Sequence, residues 1–289
     1  MAVRLAIANH KGGVAKSTTT MMIAEGLAHF AKLRVLVIDM DPQCSVSTML
    51  LSKDGADHQA NQGRSTSTML RKIAADEPIQ VSRFITGKAS DIIELRDARG
   101  HRRVDLIASD RKLLTFIEEL QTKINARLDG DLAARMLVEL RRIDKSYDII
   151  IFDCPANAGT LTLAAVRLAQ YVISPTVLDN VSITALRDFL AIVLDKSVAG
   201  NFQLKVLPTI FRSGDPEQRL MLDHIRSGVT GLDAISHPIP DTVYIRRAVN
   251  RLRATSYRDI REKYAGAVPD LVALVGAVLK FTHLTEANE

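Results

Sequence analysis

The sequence predicts an α/β protein, built on a doubly wound, mostly parallel sheet with helices on both faces. Short apolar runs rich in Val, Ile and Leu alternate along the chain with stretches of helical periodicity. Within these runs apolar and polar residues do not alternate, which is typical of parallel strands covered on both faces. Apolar residues make up 47% of the 289 residues, enough for a sizeable core.

The elements follow in order from these runs. Six strands are predicted, at residues 3–8, 34–39, 104–108, 148–153, 171–175 and 204–210. A helical pattern runs from about Ser17 to Ala31, directly after the first strand and a short loop. A basic helix is predicted from Tyr244 to Ala254, and an almost wholly apolar one from about Pro269 to Phe281. We interpret the apolar helix as buried, because helices that lie on membranes combine an apolar face with a basic one.

Residues 52–103 interrupt the alternation of strand and helix. They are polar, and only a short helix near Ser67 to Ala75 is predicted within them. A segment of about 50 residues with few large apolar side chains would be marginal as an independent domain. We therefore expect a single domain over residues 1–289, with an insert or elaboration at about 52–103.

Composition favours a cytoplasmic protein. The chain enters its first strand at once, which leaves no room for a signal peptide, and no run approaches the roughly 18 apolar residues of a membrane span. Cys44 and Cys154 lack metal-ligand spacing and are expected to be reduced thiols. The formal net charge of +5 permits contact with nucleic acid. Because aromatic residues are only 4% of the chain, duplex phosphates are the expected contact, rather than stacked single strands.

The most informative stretch is the loop after the first strand. Backbone N–H groups at a turn and at a helix N-terminus, together with the helix dipole, favour a bound anion. We expect Lys16 to meet the terminal phosphates of a nucleotide and the Ser17 hydroxyl to bind Mg²⁺. Alanine at position 15 departs from the glycine of the common phosphate-loop pattern. The residues expected to bind nucleotide here are Lys11, Gly12, Gly13, Val14, Ala15, Lys16, Ser17 and Thr18.

Carboxylates stand at the ends of two further strands. Asp39 and Asp41 belong to the segment Asp-Met-Asp-Pro-Gln that ends the second strand, and Asp153 closes the apolar run at 148–153. In an open parallel sheet, ligands bind at the carboxyl ends of the strands, so the three segments are expected to converge on one crevice. Capping of the following helix is the alternative role for Asp39 and Asp41.

Together these motifs resemble the ParA/MinD superfamily of ATPases. The loop matches its deviant Walker A motif, K-G-G-x-G-K-[ST], at every position except Ala15. The segment Asp39 to Gln43 matches its D-x-D-P-Q motif, and the run that ends in Asp153 matches Walker B. The resemblance covers residues 1 to about 50 and 104 to about 285. It implies a ParA-type partition ATPase with a deviant Walker-type P-loop fold, using ATP and Mg²⁺.

The resemblance also implies a role for each matched residue. Asp153 would orient Mg²⁺ through its water shell, Asp39 would lie near the metal or hold the loop, and Asp41 would position the attacking water. Lys11 matches the signature lysine, which reaches across an ATP-bound homodimer to the partner's phosphates in the manner of an arginine finger. Lys11, Lys16 and Asp41 are thus the predicted catalytic residues.

Two further regions are assigned by the same resemblance. Thr209 and Pro240 are expected to approach the adenine. Basic residues of the C-terminal part are expected to bind duplex DNA without reading its sequence, with ordinary solvated helix faces as the alternative. These basic residues are Arg219, Arg226, Arg246, Arg247 and Arg251. No helix-turn-helix segment precedes the loop, and the acidic tail lacks a basic membrane-binding face, so neither site-specific recognition nor a membrane partner is expected.

The predicted function is therefore DNA segregation. ATP would close a homodimer that binds nucleoid DNA, and a ParB-type partner on plasmid or chromosomal sites would stimulate hydrolysis. Three alternatives stay open at this point. The cargo could be a protein cluster or organelle, the chain could be a nucleotide-dependent metabolic enzyme on the same fold, or it could be a slowly hydrolysing scaffold, which Ala15 favours.

Overall fold

Six strands pair into one sheet in the computed structural model, which describes residues 1–97, 102–122, 128–195, 201–228, 230–250 and 256–285. The strands are β1 Val3–Ile7, β2 Arg34–Asp39, β3 Arg103–Ile107, β4 Ile149–Asp153, β5 Tyr171–Val177 and β6 Gln203–Thr209. Their order across the sheet is β3-β2-β4-β1-β5-β6, and every pairing is parallel. The predicted parallel sheet is confirmed, with each strand within about two residues of its expected bounds.

Helices connect the strands and cover both faces of the sheet. Within the described ranges they are α1 Lys16–Phe30, α2 Ser45–Leu51, α3 Lys53–Asn61, α4 Thr66–Ala74, α5 Ile93–Asp97, α6 Lys112–Thr122, α7 Leu128–Arg141, α8 Thr160–Leu168, α9 Asn180–Val193, α10 Pro216–Arg226, α11 Val243–Val249, α12 Ile260–Tyr264 and α13 Val268–Thr282. Short 3₁₀ helices lie at Val81–Phe84, Asp144–Ser146 and Ala265–Ala267.

The sheet separates two apolar layers, and β4 shows why its sequence does not alternate. Ile149 and Ile151 pack into the layer that holds α1 and α13, whereas Ile150 and Phe152 pack into the layer that holds α7 and α8. All four side chains are fully buried. A strand buried on both faces has no polar side, so an unbroken apolar run is what the fold requires.

Helix α13 lies along α1 at close range. A Cβ at Gly26 of α1 would stand 2.5 Å from Val275 Cγ2 and 3.1 Å from Leu271 Cδ1, so only glycine allows this approach. The stretch Ile260–Thr282 has the length and apolar composition of a membrane span, which the sequence analysis did not anticipate. In the fold its residues Leu271 and Leu274 are buried in the layer that contains α1.

The segment at 52–103 packs on the sheet rather than away from it. The predicted short helix is present as α4, whose Met69 and Leu70 join the α7–α8 layer. Farther along, Ala89 and Ile92 join the α1–α13 layer. An antiparallel bridge between Thr86 and Leu106 covers part of the edge strand β3.

The basic helix of the C-terminal part is shorter than predicted. Helix α11 begins at Val243 and ends at Val249, because Asn250 takes a non-helical ψ of 86°. The predicted helix continued to Ala254. Residues 251–255, and with them the predicted DNA-binding Arg251, lie outside the described part of the chain.

Candidate functional site

The loop between β1 and α1 is shaped to receive an anion. Gly13 has φ +74°, and Ala15 has φ +62° with ψ 32°, so both lie in the left-handed region. Helix α1 begins at Lys16 with no side-chain cap, which leaves the N–H groups of its first turn for a ligand. An alanine in this conformation costs about 1 kcal/mol relative to glycine.

Lys16 is a buried cation that faces two carboxylates. Its Nζ donates a hydrogen bond to the Lys11 carbonyl oxygen at 3.0 Å, and 7% of the residue is exposed. Burial lowers the pKa of its ammonium group, while the charges of Asp153 and Asp41 act in the opposite direction. A cation whose charge is only partly compensated attracts a phosphate strongly in such a poorly solvated position.

Ser17 and Asp153 meet at the carboxyl end of β4. The Ser17 hydroxyl donates to Asp153 Oδ2 at 2.7 Å, and the Thr20 hydroxyl donates to Oδ1 at 2.7 Å. Burial raises the pKa of Asp153 to about 6, although these two hydrogen bonds favour its ionised form. The sequence predicted that the segments of Ser17 and Asp153 converge, as they do here, but the contact of Thr20 with Asp153 was not predicted. The position of Thr20 one helical turn after Ser17 is the signal that was available.

Asp39 holds the loop that follows β2. Its Oδ2 accepts hydrogen bonds from the Ser47 N–H at 3.0 Å and the Ser47 hydroxyl at 2.6 Å, and its Oδ1 accepts one from the Asp41 N–H at 3.0 Å. Burial, and then the charge of Asp153 on the neighbouring strand, raise the pKa of this carboxyl. Two roles were predicted for Asp39. These hydrogen bonds support the role in holding the loop, and a position near the metal stays a prediction.

Asp41 belongs to the same loop and lies close enough to Lys16 for their charges to interact. Its Oδ1 accepts a hydrogen bond from the Gln43 N–H at 2.8 Å, and burial raises its pKa while the charge of Lys16 lowers it. The alternative role as a helix cap is not what the structure shows, because Cys44 occupies the cap position of α2. Asp41, 8% exposed, is therefore a nearly buried carboxylate near Lys16.

Lys11 points away from the crevice and toward helix α9. Its Nζ donates to the Ser182 hydroxyl at 2.7 Å and lies 3.6 Å from Asp179 Oδ1. Asp179 caps α9 and accepts a hydrogen bond from the Ser182 N–H. Sequence reasoning missed Asp179 and Ser182, since nothing in their local pattern indicates a lysine 171 residues away.

A cavity of about 320 Å³ opens beside the loop, on the side of β6. Of the two residues expected to approach the adenine, Pro240 lines this cavity and Thr209 does not. The Thr209 side chain is buried, and its hydroxyl donates to the Val14 carbonyl oxygen at 3.1 Å. The next residue, Ile210, takes its place in the lining. The lining residues are Ala15, Thr18, Ile210, Arg212, Ile239, Pro240, Asp241, Thr242, Ile245, Arg246 and Val249.

The predicted DNA-binding arginines differ in their surroundings. Arg219 and Arg247 are exposed. Arg226 is exposed too, and its guanidinium donates to the Ser236 carbonyl oxygen at 2.6 Å. Arg246 lines the cavity and is ion-paired with Asp241. The structure therefore places Arg246 beside the loop, where the sequence analysis had expected only a DNA contact.

The arrangement of Lys16, Ser17 and Asp153 at the start of α1 suits a phosphate with an accompanying Mg²⁺. The described residues contain no group of three or more His, Cys, Asp or Glu side chains that could hold a metal by themselves. Mg²⁺ is commonly held by one or two protein ligands together with water and substrate phosphates. The hydroxyl of Ser17 with the carboxylate of Asp153 behind it fits that requirement.

Known proteins resemble this chain over much of its length. The chromosome partitioning protein ParA of Myxococcus xanthus is 32% identical over 171 residues, which cover 59% of this chain and 50% of that protein. The sporulation initiation inhibitor protein Soj of Bacillus subtilis is 29% identical over 171 residues, 59% of this chain and 56% of that protein. The crystal structure of cobyrinic acid a,c-diamide synthase from Mycobacterium smegmatis with bound ADP and magnesium has a TM-score of 0.65 at 25% identity, covering 84% and 88% of the two chains.

The family assignment rests on the N-terminal two thirds of the chain. The chain spans between 50% and 59% of the length of the first curated relatives that it matches. The AAA domain family matches residues 2–206, which include β1 to β5 and most of β6. The chain therefore belongs to the AAA domain family, as a member of ParA type.

Proposed function

We propose that this protein is a Mg²⁺-dependent ATPase that dimerises when ATP is bound, binds nucleoid DNA without sequence preference and segregates plasmid or chromosomal DNA with a ParB-type partner. In this proposal it works in the cytoplasm, on the nucleoid. Hydrolysis to ADP and phosphate is slow until the partner stimulates it. The proposal is supported most directly by one observation, the meeting of Lys16, Ser17 and Asp153 at the uncapped start of α1.

The proposed chemistry assigns one task to each side chain. Bound ATP and Mg²⁺ supply the phosphoanhydride bond and the divalent charge. Lys16 Nζ neutralises phosphate charge. The Ser17 hydroxyl, which donates to Asp153, would hold Mg²⁺, and the buried Asp153 carboxylate would accept hydrogen bonds from water bound to the ion. Asp41 would accept a hydrogen bond from the attacking water, because it lies near Lys16 and, unlike Asp153, accepts no hydrogen bond from Ser17 or Thr20.

Dimerisation gives Lys11 its proposed role in trans. In the single chain Lys11 is held by Ser182 and Asp179, through contacts that leave 30% of its side chain exposed. Such a half-exposed pair is weak, so a partner's triphosphate competes well for the ammonium group. Lys11 would then stabilise charge that develops on the partner's phosphates.

Base recognition and DNA binding are proposed for neighbouring surfaces. The cavity lined by Ile239, Pro240 and Ile245 is apolar and adjoins the loop, so we assign it to the adenine. The exposed arginines Arg219, Arg226 and Arg247 are proposed to contact duplex phosphates. For Arg251, which lies outside the described residues, the proposal rests on its sequence position.

A second candidate is a nucleotide-dependent metabolic enzyme. The similarity to the M. smegmatis synthase, whose crystal structure holds ADP and magnesium, is the observation that favours it. A third candidate is an ATPase of the same kind that positions a protein cluster or organelle instead of DNA. DNA binding is expected for the segregation and positioning hypotheses and not for the metabolic enzyme.

The proposed function is tested by ATP turnover together with the sedimentation mass of the protein, each with Mg²⁺-ATP, Mg²⁺-ADP and no nucleotide. We expect a dimer only with ATP. Lys16→Ala should abolish binding, dimer and turnover. Asp41→Ala should keep the ATP dimer while turnover falls about 100-fold. Lys11→Ala should bind ATP but stay monomeric.

Matched controls make this outcome specific. Lys145→Ala and Asp223→Asn remove an exposed lysine and an exposed aspartate, and both should behave as the unchanged protein. An Asp41→Ala protein with full turnover would remove Asp41 from the mechanism. A Lys11→Ala protein that dimerises and hydrolyses ATP normally would overturn the trans role.

A further inference from the structure

A second cavity lies on the other side of the loop that follows β2. We call it the α3–α6 cavity: it measures about 310 Å³ and lies between the start of α2, one face of α3 and the N-terminus of α6. Gln43 and Cys44 contribute to its wall from the β2 side. Its size is at the lower limit of small-molecule sites. None of the roles proposed above uses it.

Two buried polar atoms of this cavity lack hydrogen bonds. Ser109 and Asp110 both line it, and they are 1% and 7% exposed. Ser109 Oγ has no hydrogen-bond partner in the described structure; its polar neighbour is the Cys44 thiol, a weak acceptor. Asp110 Oδ2 accepts from the Ser67 hydroxyl at 2.9 Å, whereas Oδ1 accepts nothing. Buried polar groups are nearly always satisfied, so these two atoms are available to hydrogen-bond a ligand in the cavity.

The rim of the cavity is positive. Lys53, Arg111 and Lys112 line it with exposed side chains, and none of the three forms an ion pair within the described ranges. Arg111 and Lys112 stand at the start of α6, an 11-residue helix whose N-terminal N–H groups favour an anion. Asp57 is the acidic residue among the exposed lining groups. A negatively charged group therefore fits the rim, and a hydrogen-bond donor fits the floor at Asp110.

We propose that the α3–α6 cavity is a second binding site, for a small phosphorylated molecule that carries a hydroxyl or amino donor, such as a sugar phosphate. The phosphate lies between Arg111, Lys112 and the start of α6. The donor group completes the hydrogen bonding of Asp110 Oδ1, and Ser109 donates its hydroxyl to the ligand. A phosphate alone leaves Asp110 unsatisfied, so it binds more weakly than a sugar phosphate.

Hydrogen bonds connect the wall of this cavity to the loop that follows β2. The Ser109 N–H donates to Ser47 Oγ at 2.9 Å, and Ser47 in turn donates to Asp39. Two hydrogen-bonded residues, Ser109 and Ser47, therefore lie between the ligand and Asp39, which accepts a hydrogen bond from the Asp41 N–H. Its binding is measured directly, so the test below does not depend on the proposed ATPase function.

Calorimetric titration of ribose 5-phosphate and inorganic phosphate into the Lys16→Ala protein tests this site, since that variant lacks the phosphate-loop ammonium. We expect saturable binding of ribose 5-phosphate, about tenfold tighter than phosphate. Combined Arg111→Glu and Lys112→Glu changes should weaken both by at least tenfold. Asp110→Ala should reduce the preference for the sugar phosphate, because it removes the acceptor for the donor group, and loss of the negative charge should leave phosphate binding unchanged or tighter.

Lys280→Glu is the matched control, because it reverses an exposed lysine on α13 and should change neither affinity. Thermal melts of each variant establish that it is folded. Failure of both probes to saturate below about 20 mM would overturn the proposal. Equal affinities in the parent and in the Arg111→Glu, Lys112→Glu protein would overturn it as well, because an adventitious phosphate at another site would give that result.

Discussion

Helix α1 carries buried charge near both of its ends, and the two ends differ in how that charge is compensated. At the N-terminal end, Lys16 is buried but makes no ion pair within the described part of the chain, and its Nζ bonds only the Lys11 carbonyl oxygen. The nearby carboxylates of Asp41 and Asp153 are bonded to backbone and hydroxyl groups instead. This end keeps a cation available.

The C-terminal half of α1 holds a saturated cluster, which we call the Glu25 cluster: Glu25, Ser90, Asp91, Lys263 and Tyr264. Lys263 Nζ lies 2.8 Å from Glu25 and 2.6 Å from Asp91. Glu25 also accepts hydrogen bonds from the Ser90 and Tyr264 hydroxyls at 2.8 and 2.7 Å. Burial alone would lower the pKa of Lys263, but the two carboxylates raise it, so we take it as charged.

This difference in charge compensation distinguishes a ligand-binding site from a cluster that stabilises the fold. The Glu25 cluster joins α1 to the 52–103 segment and to α12, and its one ammonium group is paired with both of its carboxylates. The phosphate-loop end leaves its charges partly compensated, which costs stability until an anion binds. Both ends are buried, so burial by itself does not indicate which of them is functional.

The largest expected effect comes from breaking the Glu25 cluster. Lys263→Met should destabilise the protein by about 3–5 kcal/mol, because it removes the cation that pairs with the buried carboxylates of Glu25 and Asp91. Lys16→Met, the matched change at the other end, should alter stability by less than about 1 kcal/mol, since Lys16 has no ion pair to lose. Urea unfolding monitored by circular dichroism measures both. Similar losses for the two variants would contradict the comparison.

A second effect concerns pH. The pKa of Asp153 is raised to about 6 in the folded protein, so the folded state binds more protons than the unfolded one between about pH 4 and pH 6. Its contribution to stability therefore falls as the pH rises through that window. Asp153→Asn should stabilise the nucleotide-free protein by about 2 kcal/mol at pH 7.5, and this gain should shrink toward pH 4.5.

Urea unfolding at several pH values compares Asp153→Asn with Asp223→Asn, an exposed aspartate that should show no such gain. A gain in stability of equal size at pH 4.5 and 7.5 would mean that burial does not raise the pKa of Asp153. A loss at pH 7.5 would mean that its two hydroxyl bonds outweigh the burial.

A third effect is expected at the strained loop. Ala15→Gly should raise stability by about 1 kcal/mol, because glycine adopts the left-handed conformation without the penalty that alanine carries. ATP affinity, measured by calorimetry, should stay the same or increase. Ala75→Gly is the control: Ala75 ends α4 with φ −82°, so glycine should bring no gain there. A large loss of ATP affinity in Ala15→Gly would show that the loop is built around alanine.

The smallest effect is expected at Lys11. Lys11→Ala should change the free energy of unfolding by less than about 0.5 kcal/mol, because its ion pair with Asp179 is half exposed and the buried Ser182 hydroxyl keeps its own hydrogen bond to Asp179. Asp179→Ala should cost about 1 kcal/mol through loss of the α9 cap. Thermal unfolding of the two variants gives the comparison. A cost for Lys11→Ala as large as that of the cap would mean that Lys11 is structural in the single chain.

Much of the fold follows from the sequence because its cause is local. Strands such as β4 are recognisable since a strand buried on both faces needs an unbroken apolar run. The convergence of Ser17 and Asp153 also follows, because parallel strands present their carboxyl ends at one edge. The end of α11 at Val249 was not predictable, since an arginine-rich helical pattern continues past it.

Contacts between distant segments could not be predicted. The bond from Lys11 to Ser182 and the Thr209 bond to Val14 each depend on how the loops fold back on the sheet. No periodicity or motif encodes such pairs. The catalytic roles of the matched residues stay predictions, because they depend on where a bound nucleotide lies relative to these side chains.

Binding to a random-sequence DNA duplex tests the central claim most directly. The fluorescence anisotropy of the labelled duplex is measured with ATP, with ADP and without nucleotide, at two salt concentrations, for the unchanged protein and for Lys16→Ala. We predict binding only with ATP, a steep loss of affinity at higher salt, and no binding by Lys16→Ala. Absence of binding by the unchanged protein in every nucleotide state would contradict the DNA-segregation account and favour the metabolic enzyme.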